Sequence, residues 1–257
     1  MRYSASAADP AADVVAPVPT VWDTVARLHE STDEADVVQL LSQVASQLSA
    51  DAACFIGSVR VSASRRAQRL IAACDPAWAS DYLFRQRFEH DPWLLHARRG
   101  TDPVLGSAIP ADSVDQQDTV AAAHAAGLRS TWVIPAISSV GEDRIGVLYL
   151  ASGVVGRLEQ DPLLAFRMKV VGRSLAMELH EWLHVQMRRD LLAESRLTEA
   201  EIDLLRHEEQ GHGSKAIAIA LNTEAKTVDC RFQRIIAKLR VASRREAWRI
   251  AKVHGLI

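Results

Sequence analysis

The residues best suited to chemistry cluster near the C-terminus. Between positions 226 and 238 the cations Lys226, Arg231, Arg234 and Lys238 are interleaved with Thr227, Asp229 and Gln233, while Val228, Phe232, Ile235, Ile236 and Leu239 recur at helical spacing. That pattern puts a cationic polar face opposite an apolar one. Such a face suits duplex DNA, because cations neutralise phosphates and a Gln amide matches the donor and acceptor edge of adenine. A solvated basic helix would show the same periodicity, so spacing alone leaves both readings open. Other reactive types fail on spacing. Of nine histidines, His180-x-x-x-His184 forms the one i, i+4 pair, and Glu181 beside it does not complete HExxH, so no metal site is expected. Cys54, Cys74 and Cys230 are odd in number and lack a CxxC, which argues for a reducing compartment over a disulfide framework. No Gly-rich phosphate loop, GxSxG elbow, paired carboxylates or nucleophile with a base is present, so the expectation is a non-enzyme with no catalytic residues and no cofactor.

The elements that must carry these residues fall into two groups. Residues 1–20 are rich in Ala, Pro, Asp and Val without periodicity and read as a loose extension. Ser31-x-x-Glu34 has the form of a capping box ahead of Val37, Leu40, Leu41, Val44 and Leu48, which predicts a helix. Strands are expected near Ala53 to Arg60, Leu70 to Ala73, Thr131 to Ile137 and Arg144 to Ala151, with helices around Ala79 to Phe88 and Ser113 to Ala126, and Ser62 to Ser64 as a turn. Asp161-Pro162 opens a helix whose apolar stripe runs through Leu164, Met168, Val171, Leu175, Leu179 and Trp182 into a charged stretch read as a linker at 186–195. Thr198-x-x-Glu201 is a second capping box, and four helices with short turns follow it. The formal net charge of −2 conceals an asymmetry: residues 193–257 hold 12 Lys and Arg against 9 Asp and Glu, the remainder 18 against 23. No apolar run is long enough to cross a bilayer and no leader precedes the first helix, so a cytoplasmic protein without membrane contact is expected.

Leu197-Thr198, Glu201, Leu205, Gly211, Lys215, Ile217-Ala218, Leu221, Lys226-Thr227-Val228, Ile235, Lys238-Leu239 and Val241 together resemble the LuxR-type helix-turn-helix signature. The resemblance implies that Lys215, Lys226, Thr227, Arg231 and Lys238 touch the DNA backbone and that Asp229 and Gln233 face bases. Two positions depart from the family: Arg240 stands where Gly is usual, and Arg231 where His is common.

The first half lacks the acidic cluster with which a response regulator holds magnesium. Trp78-x-x-x-Tyr82, Asp91-Pro92, Gly127-Leu128-Arg129-Ser130 and Gly146 instead resemble the acyl-homoserine-lactone receptor domain of LuxR-type quorum-sensing regulators. By that resemblance Asp91 accepts the ligand amide proton, Trp78 donates to the lactone carbonyl, and Tyr82 walls the acyl chain. The same residues could equally be core aromatics and a helix start. Gly106 replaces a family Trp, which would enlarge the pocket. Thr131 replaces a family Gly, Cys74 stands where a pocket Tyr is frequent, and Tyr149 takes a strand position usually given to a small ligand-facing residue and would fill space.

The expected architecture is α+β in two domains: an N-terminal α-β-α sandwich of GAF/PAS-like autoinducer-binding type at 21–185 and an all-α helix-turn-helix domain at 196–257. The expected function is a cytoplasmic transcriptional regulator of the LuxR quorum-sensing type with promoter DNA, RNA polymerase and a second copy as partners and an acyl-homoserine lactone or analogue as effector. The alternative is an orphan member working without a lactone. Two-fold half-sites favour a homodimer, and the helix from Pro162 to about Leu191 is the candidate contact, its apolar stripe being equally compatible with the domain's own core.

Overall fold

Strict alternation in the middle strands sorts their side chains to two faces, and both faces need a cover. In the computed structural model, which describes residues 20–61, 66–138 and 143–257, each face has one. Strands β1 (Ala52–Arg60), β2 (Arg66–Ala73), β3 (Val104–Leu105), β4 (Ser130–Ile137) and β5 (Arg144–Ser152) form one antiparallel sheet in the order β2-β1-β5-β4-β3. Ala53, Phe55, Trp132, Ile134, Leu148 and Leu150 point to one face. There they meet α1 (Val21–Ala26), α2 (Glu34–Gln47) and the long α6 (Pro162–Ser195). Cys54, Ile56, Val133, Val147 and Tyr149 point to the other, covered by α3 (Pro76–Phe84), α4 (Pro92–Ala97) and α5 (Val114–Ala125). The expected α-β-α sandwich is therefore present. The extension expected at 1–20 lies outside the described residues apart from Thr20, which caps α1, and so does the Ser62 to Ser64 turn.

Several local expectations are corrected. The cap of α2 is Asp33, whose side chain accepts from the Asp36 N–H at 2.9 Å; Ser31 instead offers its carbonyl to Trp182 Nε1 at 2.8 Å. Strand β2 begins at Arg66 because an edge strand tolerates the polar Arg66, Gln68 and Arg69 that hid it. Helix α3 ends at Phe84: Gln86 turns left-handed at φ 52°, and a 3₁₀ turn at Arg87–Glu89 carries Arg87 into ion pairs with Asp81 (2.7 Å) and Asp118 (2.6 Å). The stretch 186–195 is helical. Its charges sit on good helix formers with no Gly or Pro, so α6 continues to Ser195 and stops only where Arg196 adopts φ 51°.

The second domain packs α7 (Glu199–Glu209), α8 (Ser214–Ala220), α9 (Ala225–Leu239) and α10 (Arg244–Val253) around Leu204, Leu205, Ile217, Val228, Phe232, Ile235 and Ala251, with Leu191 and Leu192 of α6 against the same core. The Thr198 to Glu201 capping box forms as expected, satisfying two N–H groups that a helix start leaves open.

Candidate functional site

On the sheet face that carries Tyr149, Trp78 and Tyr82 lie one turn apart on α3, so both rings face the sheet, with centroids 5.2 Å apart. Asp91 is brought to them by its role as N-cap. One carboxylate oxygen, Oδ1, accepts the N–H groups of Trp93 (2.9 Å) and Leu94 (3.3 Å), which open α4. The other, Oδ2, accepts the hydroxyls of Tyr82 and Tyr149, each at 2.7 Å. Asp91 is 2% exposed. Burial raises its pKa above the usual carboxylate value, opposed by the two tyrosine hydroxyls and the two backbone N–H groups. Burial, reinforced by the Asp91 charge, pushes both phenols well above their ordinary value, so they remain donors at neutral pH.

Trp78, Tyr82, Asp91 and Tyr149, all expected from the sequence, thus come together. Trp93, Thr119, Val120 and Ala123 complete the lining, and the packing leaves about 0 Å³ open to a water-sized sphere. Thr131 is buried, but its hydroxyl donates to the Leu128 carbonyl at 3.0 Å and it is not among the lining residues. The enlargement expected at Gly106 is corrected. Trp93 packs edge-on against Tyr149 at 5.2 Å and donates from Nε1 to the Gly106 carbonyl at 3.3 Å, and a Cβ at Gly106 would meet its ring at 3.0 Å. The indole lost at one position is replaced from another, and nothing in the spacing of Asp91-Pro92-Trp93 announced it. One lining group is left over: Trp78 Nε1 is buried without a hydrogen-bond partner among the described residues.

In the second domain α9 buries Val228, Phe232 and Ile235 and exposes Lys226, Asp229, Gln233 and Arg234, with Thr227 and Arg231 half-buried and Lys215 exposed near the start of α8. Lys238 faces inward: its Nζ donates to Glu201 Oε2 at 2.6 Å and to the Arg196 carbonyl at 3.0 Å, tying α9 to α7. Asp229 is also engaged. Its carboxylate accepts from Ser214 Oγ and lies 3.5 Å from Arg244 Nη1. Arg244 in turn pairs with Glu208 at 3.2 Å and stacks on the Phe232 ring at 3.5 Å. No local pattern announces this clamp, since it joins four helices through residues far apart in the chain.

Two family models match. The autoinducer binding domain covers residues 33–177, and the domain of bacterial regulatory proteins of the luxR family covers residues 195–251. Among solved structures, SdiA of Escherichia coli aligns at 20% identity and TM-score 0.70, over 92% of this chain and 97% of that one. SdiA in complex with octanoyl-rac-glycerol aligns at 19% and 0.69, over 92% and 94%. CepR2 of Burkholderia cenocepacia, an N-acylhomoserine lactone dependent LuxR family factor, aligns at 19% and 0.52, over 64% of this chain and 93% of that one. At these identities the likeness is one of fold. No curated protein is significantly similar in sequence.

Proposed function

This chain belongs to the LuxR-type regulators that carry an autoinducer-binding domain, and from that premise we propose that it is a promoter-binding regulator whose sensor domain closes on its own side chains and folds without a lactone. One observation carries the second half of the reading. The Asp91 carboxylate, the group the family resemblance assigns to the ligand amide, takes all four of its hydrogen bonds from protein donors, in a space with no room for a guest. A buried carboxylate satisfied internally does not depend on a ligand to offset its desolvation.

A second reading rests on Trp78. Its unpartnered indole N–H calls for an acceptor, and a carbonyl-bearing effector would supply one if the tyrosines swung aside. The SdiA complex with octanoyl-rac-glycerol supports widening that effector class to acylglycerols. The melting temperature of protein produced without effector separates the two. Soluble protein unmoved by acyl-homoserine lactones and by octanoylglycerol supports the closed receptor. A saturable rise, lost in Trp78→Phe, supports the second reading.

On DNA, Lys215, Lys226, Thr227, Arg231 and Arg234 contact phosphates and Gln233 reads a base edge, while Lys238 and Asp229 hold the domain together. Lys226→Ala weakens binding to all duplexes and lowers the salt dependence by about one unit, whereas Gln233→Ala relaxes sequence preference. Equal affinity and preference in both variants, read by fluorescence anisotropy, would refute this placement of α9. A second copy docks along α6, where Leu163 (66% exposed), Phe166 (63%), Val170, Met177 and Val185 form an exposed apolar stripe, and RNA polymerase is the partner at the promoter.

A further inference from the structure

Helix α7 ends in a turn that sets two imidazoles against each other. Gly211 adopts φ 75°, which lets its own N–H reach the Glu208 carbonyl and the His212 N–H reach the His207 carbonyl, each at 3.0 Å. This paired closure of a helix end brings the side chain third from the end, here His207, against the one just past the glycine, here His212. Apolar side chains commonly fill those two places. In this chain they are imidazoles, with ring centroids 5.3 Å apart, planes at 41° and the two Nδ1 atoms 3.0 Å apart. The backbone holds the rings together, through a left-handed residue that only glycine supplies without steric cost.

Two neutral imidazoles whose Nδ1 atoms meet can share a proton or a cation. In the protein alone one ring takes the Nδ1–H tautomer and donates to the other. His207 is half-buried and His212 exposed, so water reaches the pair. Moving the shared proton to Nε2 of its own ring, through water, leaves two Nδ1 lone pairs side by side with no change in charge. With metal–nitrogen bonds of about 2.0 to 2.1 Å, atoms 3.0 Å apart subtend about 94° at a shared metal. That is the cis angle of a square-planar or octahedral ion, whereas the tetrahedral angle of zinc would need about 3.3 Å. Each lone pair then swings by roughly 40° off the line between the nitrogens, which the soft Cβ–Cγ torsion of histidine allows. Among the described residues no third Asp, Glu, Cys or His joins them. Glu208 and Glu209, beside His207 in sequence, are held by Arg244 at 3.2 Å and Lys252 at 2.8 Å.

We propose that His207 and His212 chelate one divalent transition-metal ion of square-planar or octahedral preference, copper(II) or nickel(II), with water in its remaining positions. Imidazole suits both ions, and copper is the more tightly held of the two. The ion replaces a single hydrogen bond by a bridge across the Gly211 turn, so it fastens the end of α7 to the segment that leads into α8. The DNA-binding domain is what it stabilises. The pair is spaced i, i+5, outside the helical i, i+4 rule by which two histidines are ordinarily recognised as ligands, and the glycine directly before the second histidine is the local signal that brings them together.

The test uses the full chain at pH 7.5 in a non-coordinating buffer. Nickel sulfate, titrated calorimetrically, binds at one ion per chain, and the melting temperature followed by circular dichroism rises by about 5 °C once free nickel exceeds its dissociation constant tenfold. His212→Ala, at an exposed position that the fold does not depend on, abolishes both responses, and so does His207→Ala. His184→Gln, which removes one of the i, i+4 pair on α6, leaves both in place. Copper(II) at the site gives an electron paramagnetic resonance spectrum with two coupled nitrogens. No stoichiometric nickel binding, binding unchanged in both alanine variants, binding lost in His184→Gln, a copper spectrum with one coupled nitrogen, or zinc sulfate bound more tightly than nickel would each overturn the proposal.

Discussion

Removing the Tyr149 hydroxyl tests whether the sensor core is held by its own polar centre. In Tyr149→Phe the ring stays, so its edge-on contact with Trp93 at 5.2 Å is kept and no cavity larger than one oxygen appears. What goes is a buried hydrogen bond of 2.7 Å to Asp91 Oδ2, which then keeps Tyr82 alone. Hydrogen bonds to an ionised group contribute about 1.5 to 3 kcal/mol, so a loss of roughly 2 kcal/mol is expected at pH 7. Urea denaturation followed by tryptophan fluorescence reads this domain, since five of the six tryptophans, Trp22, Trp78, Trp93, Trp132 and Trp182, precede the second domain. The control is the same substitution in an Asp91→Asn background. With the charge gone, the hydroxyl has only a neutral partner and its removal costs about 1 kcal/mol or less. A Tyr149→Phe protein within about 0.5 kcal/mol of the parent, or an equal cost in both backgrounds, refutes the claim that these donors hold a buried carboxylate.

Three further outcomes are expected. Arg240 ends α9 at φ 53°, a left-handed conformation that strains any residue with a Cβ; Arg240→Gly raises stability by roughly 0.5 to 1 kcal/mol after its unfolded-state entropy is allowed for, read as a higher thermal midpoint for the second domain. His180 is held at a pKa of about 4 by burial and by Arg144 and His184, below its ordinary 6.5, so the native state binds fewer protons than the unfolded one between those values. Its contribution is complete above pH 6.5 and falls as pH drops toward 4, by about 2 kcal/mol at pH 5; His180→Gln flattens that slope in urea midpoints measured at pH 7 and pH 5. Phe166→Glu puts a charge into the apolar stripe of α6 and shifts sedimentation from dimer to monomer without changing the melting of the monomer.

What could be read in advance was what is written locally. The apolar spacing of Val228, Phe232 and Ile235 and the Thr198 box locate α9 and α7, because helical period and capping chemistry act within a few residues. Asp91-Pro92 announces a helix start for the same reason, and the cap is what delivers the carboxylate to the tyrosines. Ser31 and Asp33 are both competent caps in one stretch and local pattern does not choose between them; the fold places Asp33 at the start of α2, while the Ser31 carbonyl accepts from Trp182, 151 residues away. The exchange of Trp93 for an indole at Gly106, the clamp through Arg244, and the inward turn of Lys238 depend on which helices touch, so no window of sequence contains them.

The continuity of α6 decides how the two halves can speak to each other. Had 186–195 been a flexible linker, the DNA-binding domain would be tethered and free to reorient. Instead the helix runs unbroken to Ser195, Leu191 and Leu192 enter the second domain's core, and two residues, Arg196 and Leu197, separate it from the Thr198 cap. The left-handed Arg196 ends the helix, and its carbonyl is held by Lys238 from α9, so the last turn of α6 is part of the second domain's own packing. On the far side the contact is made by Arg144 on Val253 and by His184 under Gly255. Arg144 pairs along the sheet with Val59, and β5 also carries Tyr149, five residues further on and bonded to Asp91. One strand thus touches the polar centre of the sensor with one side chain and the DNA-binding domain with another.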